Sequence, residues 1–466
     1  MKKYILTTFA ICLFFACNTK TEESSKAIQL NEYLTAQATH FRFNGNVLVA
    51  EKGKIIFQKS YGYANFDTKR SLNDTSVFEL ASVSKQFTAM AILLLKDKGK
   101  LKLTDSLRQY FPQLPYNGVN ICQMLNHTSG LPDYESAMNE KWDHKKIAFN
   151  KDMIAFLAKE KIPVVFKPST KWEYSNTAYA LLASIVEKVS GQNFSSFMAE
   201  NIFQPLKMNH SRIYNTRRSF KDTIPNYAYG FMYNDSLKKH LLPDNLDDFK
   251  FVFYLDGIQG DGVVNSNTAD LLKWDSAIKN HTLLKESTQK EMLKEQALVD
   301  TVKKSHYGFG VFLEKTALGY IISHSGGWPG YTTFLSRNVD TDQTFIVLSN
   351  NQSNSPAISN TLQHILSGKP VIMPYQHKEI SLGVASIQQF VGKYKATFEL
   401  SIECIGNKLF IVRANRPKME LKPELNSKFF YANGSDNQIE FEIDTTKKVV
   451  KAWWISYGIK TELVKI

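Results

Sequence analysis

Three short polar clusters interrupt the apolar segments of this chain. Ser82-Val83-Ser84-Lys85 sets a hydroxyl three residues before an amine, at the head of a long apolar stretch. Tyr174-Ser175-Asn176 and His324-Ser325-Gly326-Gly327 follow in that order. If a helix starts near Ala81, residues 82 and 85 share a face and the Lys85 amine reaches the Ser82 oxygen. A serine hydroxyl is a weak nucleophile until a base stands beside it, so this pair could perform acyl transfer. The helix N-terminus would add partly positive N–H groups where an oxyanion forms. The expected chemistry is that of a serine hydrolase.

Taken singly, each cluster is cheap. Ser-x-x-Lys recurs at Ser236/Lys239, Ser276/Lys279 and Ser287/Lys290, Tyr-x-Asn at Tyr63/Asn65 and Tyr431/Asn433, and His-x-Gly at His306/Gly308. Only Ser82 is followed by apolar residues at helical spacing (Phe87, Met90, Ala91, Leu94 and Leu95) with Gly99 placed to stop the helix. That pattern predicts a buried central helix. His127, within His-Thr-Ser-Gly-Leu-Pro, reads as part of a turn, because its neighbours Thr128, Ser129 and Gly130 are turn formers.

The elements that must hold these residues follow from periodicity. An amphipathic helix is expected over residues 30–41, then strands at 46–50 and 55–58 turned at Lys52-Gly53-Lys54, with residues 62–65 continuing the sheet edge. Helices are expected at 105–111, 121–126 and 177–189, the last closed by Gly191 and preceded by the Tyr174 loop. Strands return at 320–324, 331–337 and 344–349, joined by a Gly-rich turn at 326–330 and a second turn at 340–342. Strands at both ends around a helical middle imply an α+β fold, a mixed antiparallel sheet flanked by helices, with a helical lobe and the site between them.

The envelope fits. The chain has 466 residues, 43% of them hydrophobic and 22% charged, ordinary values for a soluble protein able to bury a large core. Residues 1–16 have the basic start and short apolar run of an export signal. Ala16-Cys17 resembles a bacterial lipoprotein processing site, so Cys17 is expected to be lipidated and to anchor the chain to a membrane through a flexible tether at 17–28. The net charge of +13 is scattered without an arginine-rich stripe, so nucleic acid is not an expected partner. Of the four cysteines, Cys12 and Cys17 belong to the leader. Cys122 and Cys404 read as buried free thiols, without metal-ligand spacing.

Residues 29–367 form the expected catalytic unit and 368–380 a linker. Beyond it, Phe398, Leu400, Ile402 and Cys404, then Ile439, Phe441 and Ile443, alternate with polar residues. Residues 381–466 therefore predict a small all-β sheet or barrel, a packing or binding accessory without catalytic residues.

Together the clusters are recognisable. The chain resembles the serine β-lactamase and penicillin-binding-protein-like superfamily, in particular its class C β-lactamase and esterase branch, over about residues 30–365. The likeness rests on Ser82 to Lys85, Tyr174 to Asn176 and His324 to Gly327. The segments Leu125-Asn-His-Thr-Ser-Gly-Leu-Pro-Asp133, Pro205-Leu-Lys-Met208 and Tyr307-Gly-Phe-Gly310 support it. It implies a β-lactamase-like fold and an acyl-enzyme on Ser82, with Lys85 as base and Tyr174 passing the proton to the leaving group. Asn176 would bond substrate or Lys85, and the N–H groups of Ser82 and Gly327 would form the oxyanion hole. It requires no metal or organic cofactor. No glutamate can be assigned as a deacylating base, which leaves Tyr174, Lys85 or the substrate to activate water.

The third cluster departs from the superfamily's usual Lys-Thr-Gly. A histidine at position 324 is largely neutral at pH 7, which weakens attraction for a substrate carboxylate. The departure leans toward small esters, peptides or amides as substrates and away from β-lactams. Trp328 and Tyr331 are expected at the pocket rim or packed within the hairpin. The alternative is a penicillin-binding or peptidoglycan-fragment-binding sensor lipoprotein with little turnover.

Overall fold

The computed structural model describes residues 15–215 and 224–466 apart from 397, 415 and 447, with side chains from residue 25 onward. Residues 1–14 of the expected export signal and the Cys17 side chain lie outside the described residues. Helix α1 (Phe15–Phe41) covers the 17–28 stretch expected as a flexible tether. That stretch contains neither Gly nor Pro, so nothing in it stops a helix whose buried face is set by Leu30, Tyr33, Leu34 and Gln37. No helix among the described residues is long and apolar enough to cross a membrane.

After α1 the chain forms β1 (Gly45–Glu51) and β2 (Lys54–Tyr61), then α2 (Lys85–Asp97), α3 (Tyr134–Lys141), α4 (Asn176–Ser190) and α5 (Thr268–Lys279). The late strands are β3 (Ala297–Asp300), β4 (Ser305–Tyr307), β5 (Phe312–Thr316), β6 (Gly319–Trp328), β7 (Tyr331–Asn338) and β8 (Gln343–Ser349), followed by α6 (Ser355–Leu366). They build one antiparallel sheet in the order β3-β4-β5-β6-β7-β8-β1-β2. The two ends of the catalytic unit thus meet at β1 and β8, with Val47 opposite Val347.

Both faces of this sheet are covered, and alternation along the strands assigns each side chain to a layer. Val47, Val49, Phe345 and Val347 pack against α1 and α6. Leu48, Ala50, Ile346 and Leu348 face the larger core that contains α2. Every residue of α2 from Lys85 to Leu95 is buried, and Phe87 stacks on Trp274 of α5 with ring centroids 4.1 Å apart. Burying each such large side chain is worth about 1.5–3 kcal/mol, enough to hold a helix that carries one buried amine among its apolar residues. Helix α2 ends where Gly99 was expected to stop it: Gly99 takes φ +68° and its N–H bonds the Lys96 carbonyl.

Two local expectations are corrected. Residues 63–65 leave the main sheet and pair with Arg70–Ser71 in a separate ribbon, because Gly62 turns at φ +83° and Asn44 Oδ1 captures the Tyr63 N–H. The expected Gly-rich turn at 326–330 is shorter. Strand β6 continues through Gly326 and Gly327, paired with Thr333 and Thr332, and only Pro329-Gly330 turns. Gly326 lies in the strand because the Leu80 carbonyl and Thr333 Oγ1 occupy the space a Cβ would need.

The tail is a closed eight-stranded barrel, and Leu400, Ile402, Ile439 and Phe441 fill its core as their alternation predicts. Ile443 is exposed, and Cys122 and Cys404 are free and only half-buried. The barrel docks on the layer opposite α2. The Tyr457 carbonyl accepts from Tyr33 OH (3.2 Å) and Thr361 Oγ1 (2.7 Å), and Gln37 Nε2 donates to Asp436 Oδ2 at 2.7 Å.

Because two fixed neighbours occupy the Cβ position of residue 326, Gly326→Ala is expected to destabilise by about 1–3 kcal/mol. Denaturant unfolding measures this, and an unchanged midpoint would show that the strand can retreat from Leu80.

Candidate active site

Ser82 sits on a tight turn, Ala81–Ser84, that leads directly into α2. The turn is of the 3₁₀ type, with three residues per turn, so the side chains of residues 82 and 85 eclipse. Its entry is fixed from two sides. Leu80 N donates to the Val264 carbonyl (2.8 Å) and the Leu80 carbonyl accepts from Thr333 Oγ1 (2.7 Å). Ala81 is held at φ +48°, an uncommon conformation for alanine, which places the turn against β6 and β7.

Lys85 Nζ lies 3.1 Å from Ser82 Oγ, 2.8 Å from Asn176 Oδ1 and 2.7 Å from the Asp261 carbonyl. Burial lowers its pKa to about 8, partly opposed by the nearby carboxylates of Asp261 and Glu135. That shift weighs roughly 3 kcal/mol against the charged amine and leaves about one molecule in ten neutral at pH 7. A neutral amine at this distance can accept the proton of Ser82.

Helix α4 begins at Asn176, capped by Ser175, whose hydroxyl accepts from Ala178 N at 3.1 Å. This cap directs the Asn176 amide at Lys85 and leaves Tyr174 on the loop before it. The Tyr174 ring lies 4.9 Å from Lys85 Nζ. Its hydroxyl is buried beside Ser82, outside hydrogen-bond geometry, and burial holds its pKa well above the usual phenol value. His127, read from the sequence as a turn residue, also orders this loop: Nδ1 accepts from Ser175 N at 3.1 Å and its carbonyl accepts from Glu173 N at 3.0 Å.

The third cluster divides along the pleat of β6. Gly327 lines the cavity beside Ser82, while Gly326 packs behind it against Leu80. Ser325 shares the Gly327 face without reaching the cavity lining. His324, expected among the substrate contacts, is not at the cavity. Its ring is buried behind Tyr174, with Nε2 2.9 Å from Tyr307 OH and Nδ1 2.7 Å from the Ser325 carbonyl. Burial, and then the Lys85 charge, lower its pKa to about 3, so it is neutral. Trp328 lines the cavity, whereas Tyr331 is packed, its hydroxyl donating to the Ala228 carbonyl at 2.8 Å.

The cavity encloses about 550 Å³ open to solvent. It contains two groups that carried no motif in the sequence. Glu135, at the start of α3, accepts from Asn176 Nδ2 through Oε1 at 2.8 Å. Asp261, on the loop after residue 255, accepts from Tyr134 OH at 2.8 Å. Burial, followed by Asp261 and Asp133, pushes the Glu135 carboxyl up to about 7. No spacing in the sequence pointed to Glu135, which the structure brings to the cavity lining beside Asn176. Among the described residues no cluster of His, Cys, Asp and Glu has the arrangement to hold a metal ion.

A family model described as Beta-lactamase matches residues 34–368. The chain belongs to this family. Penicillin-binding protein 4* of Bacillus subtilis (strain 168) is 40% identical over 398 residues, covering 84% of this chain and 88% of that relative. In fold it is similar to the octameric penicillin-binding protein homologue from Pyrococcus abyssi, with TM-score 0.67, 21% identity, and coverage of 94% of this chain and 99% of that one. It is also similar to the D-amino acid amidase of Ochrobactrum anthropi SV3 complexed with L-phenylalanine amide, with TM-score 0.61, 22% identity, and coverage of 74% and 98%. The β-lactamase family assignment makes this a serine-hydrolase scaffold.

Reaction of Ser82 with a fluorophosphonate should accelerate as pH rises and level off above a midpoint of about 8, as Lys85 loses its proton. Labelling rates measured across pH test this; a flat profile would separate Lys85 from the reactivity of Ser82.

Proposed function

We propose that this β-lactamase-family chain hydrolyses small esters, peptides or amides through an acyl-enzyme on Ser82. The observation that carries the proposal is the 3.1 Å contact between Lys85 Nζ and Ser82 Oγ at the floor of an open cavity. Neutral Lys85 takes the hydroxyl proton as Ser82 Oγ bonds to the carbonyl carbon. The Tyr174 hydroxyl passes a proton to the departing alcohol or amine and is recharged from Lys85. Backbone N–H groups of Ser82 and Gly327 would stabilise the oxyanion, each such donor typically worth about 10²–10³ in rate. Water then attacks the acyl-enzyme, its proton removed along the same Tyr174–Lys85 relay.

The buried, neutral His324 supplies no positive charge for a substrate carboxylate. This supports poor hydrolysis of β-lactams and of substrates ending in a free carboxylate. The Ala16-Cys17 junction supports export and lipid anchoring at Cys17, which Cys17→Ser should abolish, releasing the chain from the membrane fraction.

Short-chain nitrophenyl ester hydrolysis by the protein from about Ser24 should vanish in Ser82→Ala with little change in thermal midpoint. In Lys85→Ala it should fall by about 10²–10⁴-fold. Labelling of Ser82 without product release would favour an acylating sensor, and retained hydrolysis in Ser82→Ala would overturn the proposal.

A further inference from the structure

A second cavity lies between the catalytic unit and the barrel, and it shares no residue with the one over Ser82. It encloses about 760 Å³ open to solvent. Arg42, just past α1, and a hairpin in which Met232–Asn234 pairs with Lys239–Leu241 form one wall. The barrel turn Asn433-Gly434-Ser435 forms the other.

Arg42 is held in this cleft from both walls. Its backbone takes φ +59°, a conformation arginine seldom adopts, and its carbonyl accepts from Asn351 Nδ2 at 2.7 Å. The guanidinium lies 3.9 Å from the centroid of the Tyr233 ring. The barrel turn makes room for it, since a Cβ on Gly434 would come within 2.6 Å of Arg42 Nη2. Among the described residues the guanidinium forms no ion pair and no hydrogen bond, so its N–H groups face solvent. Across the hairpin His240 packs 5.1 Å from Tyr233 and stacks on Phe66 at 3.8 Å. Burial, then the charges of Arg42 and Lys69, lower its pKa to about 4, so the ring is neutral and senses a positive potential.

Two amides complete the cleft, one from each wall, and each has its oxygen engaged. Gln352 Oε1 accepts from Tyr233 N at 2.8 Å, and Asn433 Oδ1 accepts from Ser435 N at 3.1 Å and Ser435 Oγ at 2.7 Å. Each is left with an NH₂ donor, and Asp235 supplies an acceptor. A matching ligand carries one negative charge together with groups that both donate and accept, which is what ring hydroxyls do. A simple anion would use the guanidinium alone. An ammonium would be repelled by Arg42 and Lys69, and a phosphate dianion would set a second charge against Asp235.

We propose that this cleft binds a carboxylate-bearing saccharide. Arg42 pairs with the carboxylate through the fork that a guanidinium offers. The amide NH₂ groups of Gln352 and Asn433 donate to ring hydroxyls, and Asp235 accepts from them. Because Asn433 and Gly434 belong to the barrel, the site is complete only with the barrel docked on the catalytic unit. It owes nothing to the chemistry at Ser82.

Calorimetric titration of the full chain tests this with methyl β-glucuronide, its neutral counterpart methyl β-glucoside, acetate and glycerol phosphate. The glucuronide should bind at least about tenfold more tightly than the glucoside or acetate, the worth of a charge-assisted hydrogen bond. In Arg42→Gln the preference for glucuronide over glucoside should collapse toward unity, and Arg42→Lys should restore part of it. Asn433→Ala should weaken both sugars alike and leave their ratio intact, an effect that a purely structural role for the barrel turn would not produce. Equal binding of glucuronide and glucoside, or binding of neither, would overturn the proposal. So would acetate or glycerol phosphate binding as tightly as the glucuronide, or a preference that survives Arg42→Gln.

Discussion

Lys85 Nζ bonds Ser82 Oγ, Asn176 Oδ1 and the Asp261 carbonyl, and the last two acceptors arrive from distant parts of the chain. An amine buried in this way is costly unless each of its protons finds an oxygen. Much of the catalytic unit serves to bring those oxygens in. The Ser175 cap fixes the first turn of α4 and so the Asn176 amide. The loop carrying Asp261 is pinned from both sides: Thr88 Oγ1 donates to the Gly260 carbonyl at 2.6 Å, and Asn150 Nδ2 donates to the Gln259 carbonyl at 2.9 Å. Burial then makes the amine hold its proton less tightly than lysine in water, so that part of it is neutral near pH 7.

The same low-dielectric pocket acts on its neighbours in opposite directions. It drives His127 and His324 to their neutral forms and raises the carboxyls of Glu135 and Asp261. The histidines become hydrogen-bonding spacers that hold Tyr174 between them, with ring centroids 4.3 Å and 6.2 Å away. The carboxyls instead retain an electrostatic demand at the cavity wall. Charge at this site is thus set by position relative to Lys85 and to solvent, and residue type alone is a poor guide to it.

The barrel stands apart from this chemistry. It meets α1 and α6 on the far side of the sheet, through Tyr457 and Asp436, and among the described residues none of the barrel lines the cavity over Ser82. Its physical contribution is to cover the helical layer that backs β1 and β8, the strands where the two ends of the catalytic unit join.

Local periodicity and short-range spacing were legible in the sequence. The Ser82/Lys85 turn, the buried face of α2, the helix that follows the Tyr174 loop, the late antiparallel strands and the alternating tail each depend on neighbours within a few residues, where sterics and hydrogen bonding act directly. The extent of α1 and the path of β6 through two glycines were not, because each depends on a surface supplied from elsewhere, as Leu80 and Thr333 do for Gly326. The same holds for the site. Ser82, Lys85, Tyr174 and Asn176 carry their own spacing, whereas Glu135 and Asp261 have none. They acquire meaning only when α3 and the loop after residue 255 fold over α2. His324 shows the converse, since its chemistry depends on which side of a strand it faces. Sequence determined the meeting of the Ser82 hydroxyl and the Lys85 amine through a spacing of three residues; tertiary structure decided the charge of the cavity, because a carboxylate's energy depends on burial and on charges brought to it across the fold.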